Sequence, residues 1–436
     1  MAEIVKTTCC VVGGGPAGIM LGYLLARSGV AVTVLEKHND FFRDFRGDTV
    51  HPSTLALLEE LGLLAAFLKI PHQQLTSVGG VFGDFPFQVA NFTRVPGPCK
   101  FIALMPQWDF LNFLSSRAAR FPSFDLLMRH EAVDLLRNRG RITGVQARTP
   151  AGTVNIHADL VIGCDGRHST IRTAARMDVI ESGVPIDVLW FRIARKPSDP
   201  DQVFGNINYG KALILLNRGD YFQSGFIVRK GSFDEMRRKG LGAFRKSIVQ
   251  IAPYLLDRVD QLQYWDQIKL LSVQINRLRK WHRLGLLCIG DAAHAMSPAG
   301  GVGINLAIQD AVAAANLLAA PLRKRRVTEA LLAQVQQRRE FPTRVTQFMQ
   351  VNAHKGLEYI FQHPGPMKAP WQMKAALSIP GIQHLTARLI GTGVRPEHIR
   401  TPKPRPLLER IAVCAGIAAA VAVNLTRIVR QRNRHA

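Results

Sequence analysis

Residues 9–12, Cys-Cys-Val-Val, form a short apolar run that ends on Gly13, and Gly15 and Gly18 complete a G-x-G-x-x-G spacing. A chain that leaves a strand through such a turn and enters a helix is committed to a parallel α/β unit. Gly13 permits the tight turn, Gly15 lets the backbone approach a pyrophosphate, and Gly18 lets the helix pack on the strand. Ile19, Met20, Leu24 and Leu25 give a helical stripe that stops at Gly29. A second apolar run, residues 31–35, ends on Glu36. An acid about 20 positions past the glycines is placed to hold an adenosine ribose. The free N–H groups and dipole at the helix start favour phosphate.

The 436 residues are enough for two or three domains, and 47% apolar content excludes a disordered chain. Six cysteines form neither a disulfide framework nor a paired metal spacing, since Cys9 and Cys10 are adjacent on a strand. No metal site is expected, and the thiols read as reduced in a cytoplasmic protein. The first strand begins almost at once, with no signal peptide ahead of it. A net charge of +24 suits either anionic partners or a solvated basic surface. No zinc spacing or aromatic-interleaved basic motif points to specific nucleic-acid reading.

Ser53 is placed to cap an apolar helix over residues 55–64. Arg46 lies in the loop after the second strand, at the end of the sheet where the glycine turn lies. Residues 75–104 lack a helical period and read as strands and turns of a second domain. A helix opens at residues 105–109 and runs to Arg120, and residues 124–128, 132–136, 141–148 and 154–158 read as a strand meander. An apolar strand then runs into Cys164-Asp165-Gly166, with a helix after it. Such a strand end is where open α/β sheets bind ligands. Residues 183–276 read as the sheet-rich part of the second domain, with strands at 188–192, 212–217 and 221–228 and one helix over 233–252. A third strand enters Gly290-Asp291 and a glycine-rich loop, then a long helix through Leu318. Beyond Pro321 the chain is helical and basic, and Pro402, Pro404 and Pro406 make a stiff spacer before the tail.

With these three motifs in order, the chain resembles the FAD-dependent monooxygenases of the p-hydroxybenzoate hydroxylase type, over roughly residues 5 to 345. The resemblance implies a Rossmann-like FAD-binding domain with an inserted mixed β-sheet substrate domain and a helical C-terminal region. The corresponding division is 1–74, 105–182 and 277–345 for FAD, 75–104 and 183–276 for substrate, and 346–436 for the helical region. It implies that Gly13, Gly15, Pro16, Ala17 and Gly18 cradle the pyrophosphate, and that Glu36 and Lys37 lie at the ribose. Arg46 and Gln107 match cofactor-contacting positions, Asp165 and Gly166 serve FAD and the pyridine nucleotide, and Asp291 binds the ribityl or pyrophosphate region. Pro298 and the backbone through Gly301, Val302, Gly303, Ile304 and Asn305 would lie against the flavin ring; Val302 stands where many relatives carry glutamine. With no second dinucleotide fingerprint, NADPH or NADH would dock transiently.

The activity so implied is hydroxylation of an electron-rich aromatic or phenolic substrate by NAD(P)H and O2 through a flavin C4a-hydroperoxide. A flavin-dependent reductase or dehydrogenase acting on a lipid or quinone precursor, and a flavin-bound scaffold without turnover, are the competing readings. His294 near the flavin edge either tunes a proton or bonds to backbone, and His51 is a weak candidate for a covalent flavin anchor. Tyr221 and Gln223 share a strand face. If that face looks toward the flavin, they contact substrate together with Arg192. Residues 411–423 are apolar, with Arg427, Arg430, Arg432 and Arg434 beyond them. At about 20 residues needed for a span, the run is short, so it either dips into one leaflet of an anionic membrane or packs against the protein or a dimer partner.

Overall fold

The computed structural model describes residues 3–42, 49–199 and 205–401. Arg46 and the tail from residue 402, with its proline spacer and apolar run, lie outside the described residues.

Five parallel strands carry the three motifs. In chain order they are β1 (Glu3–Val12), β2 (Val32–Glu36), then, after the two-residue β3 (Thr49–Val50), β4 (Phe124–Met128), β5 (Gly152–Gly163), and, further on, the strand Leu286–Cys288. They stand side by side in the order Leu286–Cys288, β5, β1, β2, β4. Val11 and Val12 face Ile162 and Gly163 on one side and Val34 and Leu35 on the other. Strands buried on both faces need continuous apolar sequence, and Cys9, Cys10, Val11, Leu160, Val161 and Ile162 are all buried. Residues 152–163 are one strand rather than two. Its first half pairs antiparallel with the hairpin strand Arg141–Thr149, and its second half runs parallel between β1 and Leu286–Cys288. The segment 124–128 belongs to this parallel sheet, beside β2, not to the hairpin.

Helix α1 (Pro16–Arg27) is buried along almost its whole length. Helix α2 (Pro52–Glu60) starts two residues earlier than the Ser53 cap predicts: His51 holds the N-cap position, Pro52 takes the first turn, and Ser53 lies inside. Proline suits that position because its missing N–H is not needed there. Helix α3 (Gln107–Ala118) packs on α1. The short α4 (Thr170–Ala174) follows β5.

Among the described residues the second sheet has seven strands. Its centre is β6 (Ile186–Ala194), β7 (Lys211–Asn217) and β8 (Tyr221–Arg229), in the order β6, β8, β7. Gly205–Asn208 continues it, and Ser77–Phe82 joins by parallel pairing to Gly205–Asn208, so the sheet draws on both segments read as strand-rich. Ile102–Leu104, by contrast, pairs with β3 and Gln73–Leu75 in a separate small sheet. The outer face of β6 and β8, through Phe191, Phe222, Phe226 and Val228, packs on Phe244 and Ile248. The single helix expected over 233–252 is two, Phe233–Lys239 and Leu241–Ile251, broken at Gly240 with φ of +86°.

The strand Leu286–Cys288 is β9. Helix α5 (Val302–Arg323) follows it, long and apolar enough to cross a membrane, but mostly buried in the core against α1. Helix α6 (Glu329–Phe361) then runs from α5 to the second sheet, where Leu357 and Phe361 pack beneath Trp190 and Ile227.

Candidate functional site

Gly13 has φ of +108°, and a Cβ there would lie 2.5 Å from the carbonyl oxygen of Cys164. The first and second motifs are therefore in direct contact. A Cβ at Gly18 would lie 1.9 Å from the Gly13 oxygen, whereas one at Gly15 meets nothing within 4 Å among the described residues. Gly15 is the N-cap of α1 and no side chain caps that helix. The N–H groups at its start open onto free volume, as a bound pyrophosphate requires. Pro16 is the first helical residue, and Ala17 lies beside Gly290 of the third motif. The Glu36 carboxylate accepts the N–H groups of Gly14 and His38, each at 3.1 Å, which fixes the acid over the glycine turn. Lys37 is exposed next to it.

Asp165 turns back on its own loop. It accepts the Ser169 hydroxyl at 2.5 Å and the Ile171 N–H at 3.1 Å, at the start of α4. Burial raises its carboxyl pKa against the lowering effect of those bonds. Gly166 has φ of +86°, and a Cβ there would meet nothing within 4 Å among the described residues. Arg167, which the sequence reading passed over, reaches Asp291 at 3.6 Å and links the second motif to the third, both side chains about a quarter to a third exposed.

The Gly290 N–H donates to Asp310 at 3.1 Å. Asp310 is fully buried, and it also holds His294 Nε2 at 2.5 Å and Arg339 Nε at 2.9 Å. Burial pushes this carboxyl up, but His294 and Arg339 outweigh it and hold Asp310 below the usual range. His294 is 1% exposed and packs against Trp281. Its Nε2 bonds to a carboxylate rather than to backbone, and its Nδ1 has no hydrogen-bond partner among the described residues.

The Pro298 carbonyl accepts the Gly301 N–H at 3.0 Å, and Gly300 and Gly301 both have positive φ. Val302, Gly303 and Ile304 then sit half-buried at the uncapped start of α5. Asn305 is buried; its oxygen accepts the His51 N–H at 3.1 Å and the Thr54 hydroxyl at 2.7 Å. Helix α6 grips the loop from behind. Gln347 donates to the carbonyls of Asn276 and Ala295, Gln350 donates to those of Ser297 and Ala299, and His354 meets the Ser297 hydroxyl at 2.9 Å. Steps of three and four residues put all three on one helix face.

Gln107 is the first residue of α3, half-buried, and the adjacent Trp108 packs on Phe42 at 4.8 Å between ring centres. On the second sheet, Arg192 and Gln223 are register partners, and the Arg192 guanidinium lies 5.1 Å from the centre of the Tyr221 ring. Gln223 accepts from Arg218 at 3.1 and 3.2 Å. These three residues share the face that packs lower down on Leu357 and Phe361 of α6, the helix that holds the glycine loop.

The family described as "FAD binding domain" matches residues 6–349. A protein from Streptomyces rimosus named 6-methylpretetramide 4-monooxygenase is 31% identical over 427 residues, covering 94% of this chain and 93% of the relative. The chain is an FAD-dependent monooxygenase of this family. A dialkyldecalin synthase from Streptomyces rugosporus is 28% identical over 70% of this chain and 63% of its own length. The fold is shared with the anhydrotetracycline hydroxylase OxyS of Streptomyces rimosus, with a TM-score of 0.71, 21% identity, and coverage of 90% of this chain and 77% of that one.

One consequence for this monooxygenase is a pH effect at His51, which is 0% exposed and whose pKa burial lowers to about 4. An unfolded histidine titrates near 6.5. Between these values the unfolded chain binds the extra proton, so stability falls as pH drops from about 6.5 to about 4, by up to roughly 3 kcal/mol. The thermal midpoint should fall between pH 7 and pH 5, and His51→Gln should shrink that fall. An equal fall in the variant would assign the acid sensitivity elsewhere.

Proposed function

We propose that this monooxygenase uses NAD(P)H and O2 to hydroxylate a phenolic or polycyclic aromatic compound bound between the glycine loop and the second sheet. The observation that carries the reading is the junction of all three motifs at one set of strand ends: Gly13 against Cys164, and Arg167 paired with Asp291. FAD, when bound, supplies hydride acceptance and oxygen activation. Gly13, Gly15 and Gly18 with the start of α1 would hold its pyrophosphate, and Glu36 its adenosine ribose. Gly166 and Asp291 would bound the middle of the cofactor. Pro298, Gly301, Val302, Gly303, Ile304 and Asn305 would hold the ring end, where the N–H groups of α5 stabilise negative charge. Arg192, Tyr221 and Gln223 would form the polar part of the substrate wall. The loop's attachment to α6 would hold it in place beside the ring, where a fixed wall helps to keep water from the reaction.

The purified chain should be yellow, and acid precipitation should release the colour to the supernatant. A panel of phenols and polycyclic aromatics should contain one that stimulates NAD(P)H oxidation, with oxygen consumed and one oxygen atom added to the product. Turnover without oxygen would instead support the reductase reading. Product formation without NAD(P)H would overturn the NAD(P)H-dependent reading.

We further propose a cytoplasmic enzyme held at the membrane face by residues 411–423 and the arginines beyond them. Each basic side chain near an anionic surface contributes about 1 kcal/mol. The full chain should co-sediment with anionic liposomes at low salt, and deletion of residues 407–436 should release it with FAD still bound. Failure of the full chain to co-sediment rules out membrane attachment.

A further inference from the structure

His51 sits at the junction of β3 and α2, and its carbonyl accepts the N–H groups of Thr54 and Leu55. Its N–H donates to Asn305, and its Nδ1 lies 2.9 Å from the carbonyl of Ile390. A carbonyl can only accept, so Nδ1 carries the hydrogen. Nε2 is then a bare lone pair, in a residue with no exposed surface, and among the described residues it has no hydrogen-bond partner. A buried acceptor left unmade is costly, and native folds rarely keep one without a reason.

Nε2 points to a specific place. A Cβ built on Gly301 would come within 3.2 Å of it and within 2.5 Å of Thr49 Oγ1. Gly301 is the N-cap of the 22-residue helix α5, at φ of +65° and without a side-chain cap. Thr49 does not relieve His51, because its hydroxyl already donates to the Gly301 carbonyl. One spot therefore combines backbone donors at a helix start with a single unpaired acceptor. A ligand edge that complements it must offer acceptors and one donor together. The flavin end of FAD does so: its pyrimidine ring alternates C2=O, N3–H and C4=O, and its ribityl chain carries hydroxyls close by.

Resting on the FAD-dependent reading, we infer that His51 is a cofactor-positioning residue whose Nε2 accepts a hydrogen bond from an N–H or O–H of the bound flavin–ribityl unit, beside the start of α5. This role is noncovalent and differs from flavin attachment. It requires the imidazole to stay in its Nδ1–H form, which the Ile390 carbonyl enforces.

The test compares wild type, His51→Gln and His51→Leu as full chains carrying FAD. Both variants lose the Ile390 contact, but glutamine can still place an acceptor where Nε2 lay, and leucine cannot. His51→Leu should release FAD about tenfold more readily on dilution, whereas His51→Gln should stay within about threefold of wild type. Far-UV circular dichroism confirms that each variant is folded. With FAD labelled with nitrogen-15 at N3, a resonance that moves in His51→Leu but not in His51→Gln identifies the ring N–H as the donor. An unmoved N3 resonance, together with loss of the wild-type advantage when 2′-deoxyribityl FAD is used, identifies the hydroxyl. Equal FAD retention and an unmoved N3 signal in folded His51→Leu overturn the inference while leaving FAD binding itself intact. A chain that takes up no FAD in any form overturns the underlying reading instead.

Discussion

Asp310→Ala is expected to remove about 3–5 kcal/mol of folding stability, the usual cost of leaving one partner of a buried ion pair uncompensated. Asp310 and Arg339 are both 0% exposed and meet at 2.9 Å. Arg339 would keep a 3.4 Å hydrogen bond to the Arg395 carbonyl and, as its remaining ion pair among the described residues, a longer contact to Glu397 at 3.6 Å, and Glu397 is already held by Arg338 through two bonds of 2.7 Å. The same substitution strips His294 Nε2 and the Gly290 N–H of their acceptor, so the third motif loosens along with α5 and α6. Thermal unfolding should show a markedly lower midpoint, and FAD should be retained less well. Adding Arg339→Met should recover much of the loss, because removing both charges avoids the stranded guanidinium. The sign of the pH dependence follows from the depressed carboxyl of Asp310. Its contribution is present above the unfolded value near 3.9 and disappears only as pH falls through the lower folded value. An unchanged midpoint at neutral pH in Asp310→Ala would show that the network carries no stability.

The two halves of the site differ in how visible they are in sequence. Glycine turns are local geometry: Gly13, Gly15 and Gly18 perform separate tasks within six residues, and the structure separates those tasks by what a Cβ at Gly15 or Gly18 would meet. The parallel strands were legible for a similar reason, since burial on both faces forces continuous apolar sequence. Residues 152–163 looked like two strands because the outer half alternates, as a half-solvated antiparallel strand does, while the inner half is uniformly apolar. Ser53 has the residue type of a cap, but the preceding proline already fills the first helical position.

The polar framework behind the loop was not legible, because its partners are distant in sequence. Asp310 finds Arg339 29 residues on, Asn305 finds His51 about 250 residues back, and Gln350 reaches Ser297 across 53. Nothing in the local pattern of α6 marks Gln347, Gln350 and His354 as loop-holding rather than solvent-facing. Arg167 was equally hidden, since only the meeting of two strand ends gives it Asp291 as a partner. What could have flagged these residues is their cost: a glutamine or histidine on the buried face of a helix needs a partner, and here the partner is the backbone of the loop that bounds the cofactor.

The sharpest separation of cofactor chemistry from folding lies within the fingerprint itself. Gly15→Val should abolish most FAD binding while leaving the fold untouched. Gly15 has φ of −75° and ψ of −175°, a conformation open to a branched residue, and a Cβ there meets no atom of the described residues within 4 Å. The added side chain would instead fill the volume at the start of α1 that the pyrophosphate needs. Losing two charge-assisted contacts of roughly 1.5 kcal/mol each weakens affinity by about a hundredfold or more. Gly18→Ala acts by another route. Its Cβ would collide with the Gly13 carbonyl oxygen at 1.9 Å, so α1 must lift from β1. Overpacking of that kind costs about 1–3 kcal/mol and lowers the midpoint even without FAD. Flavin fluorescence titration and thermal unfolding of the FAD-free protein read the two effects separately. Gly15→Val should fail the first measurement and pass the second, and Gly18→Ala should fail both. If Gly15→Val binds FAD as wild type does, the pyrophosphate does not rest on the start of α1, and the cofactor lies elsewhere in the fold.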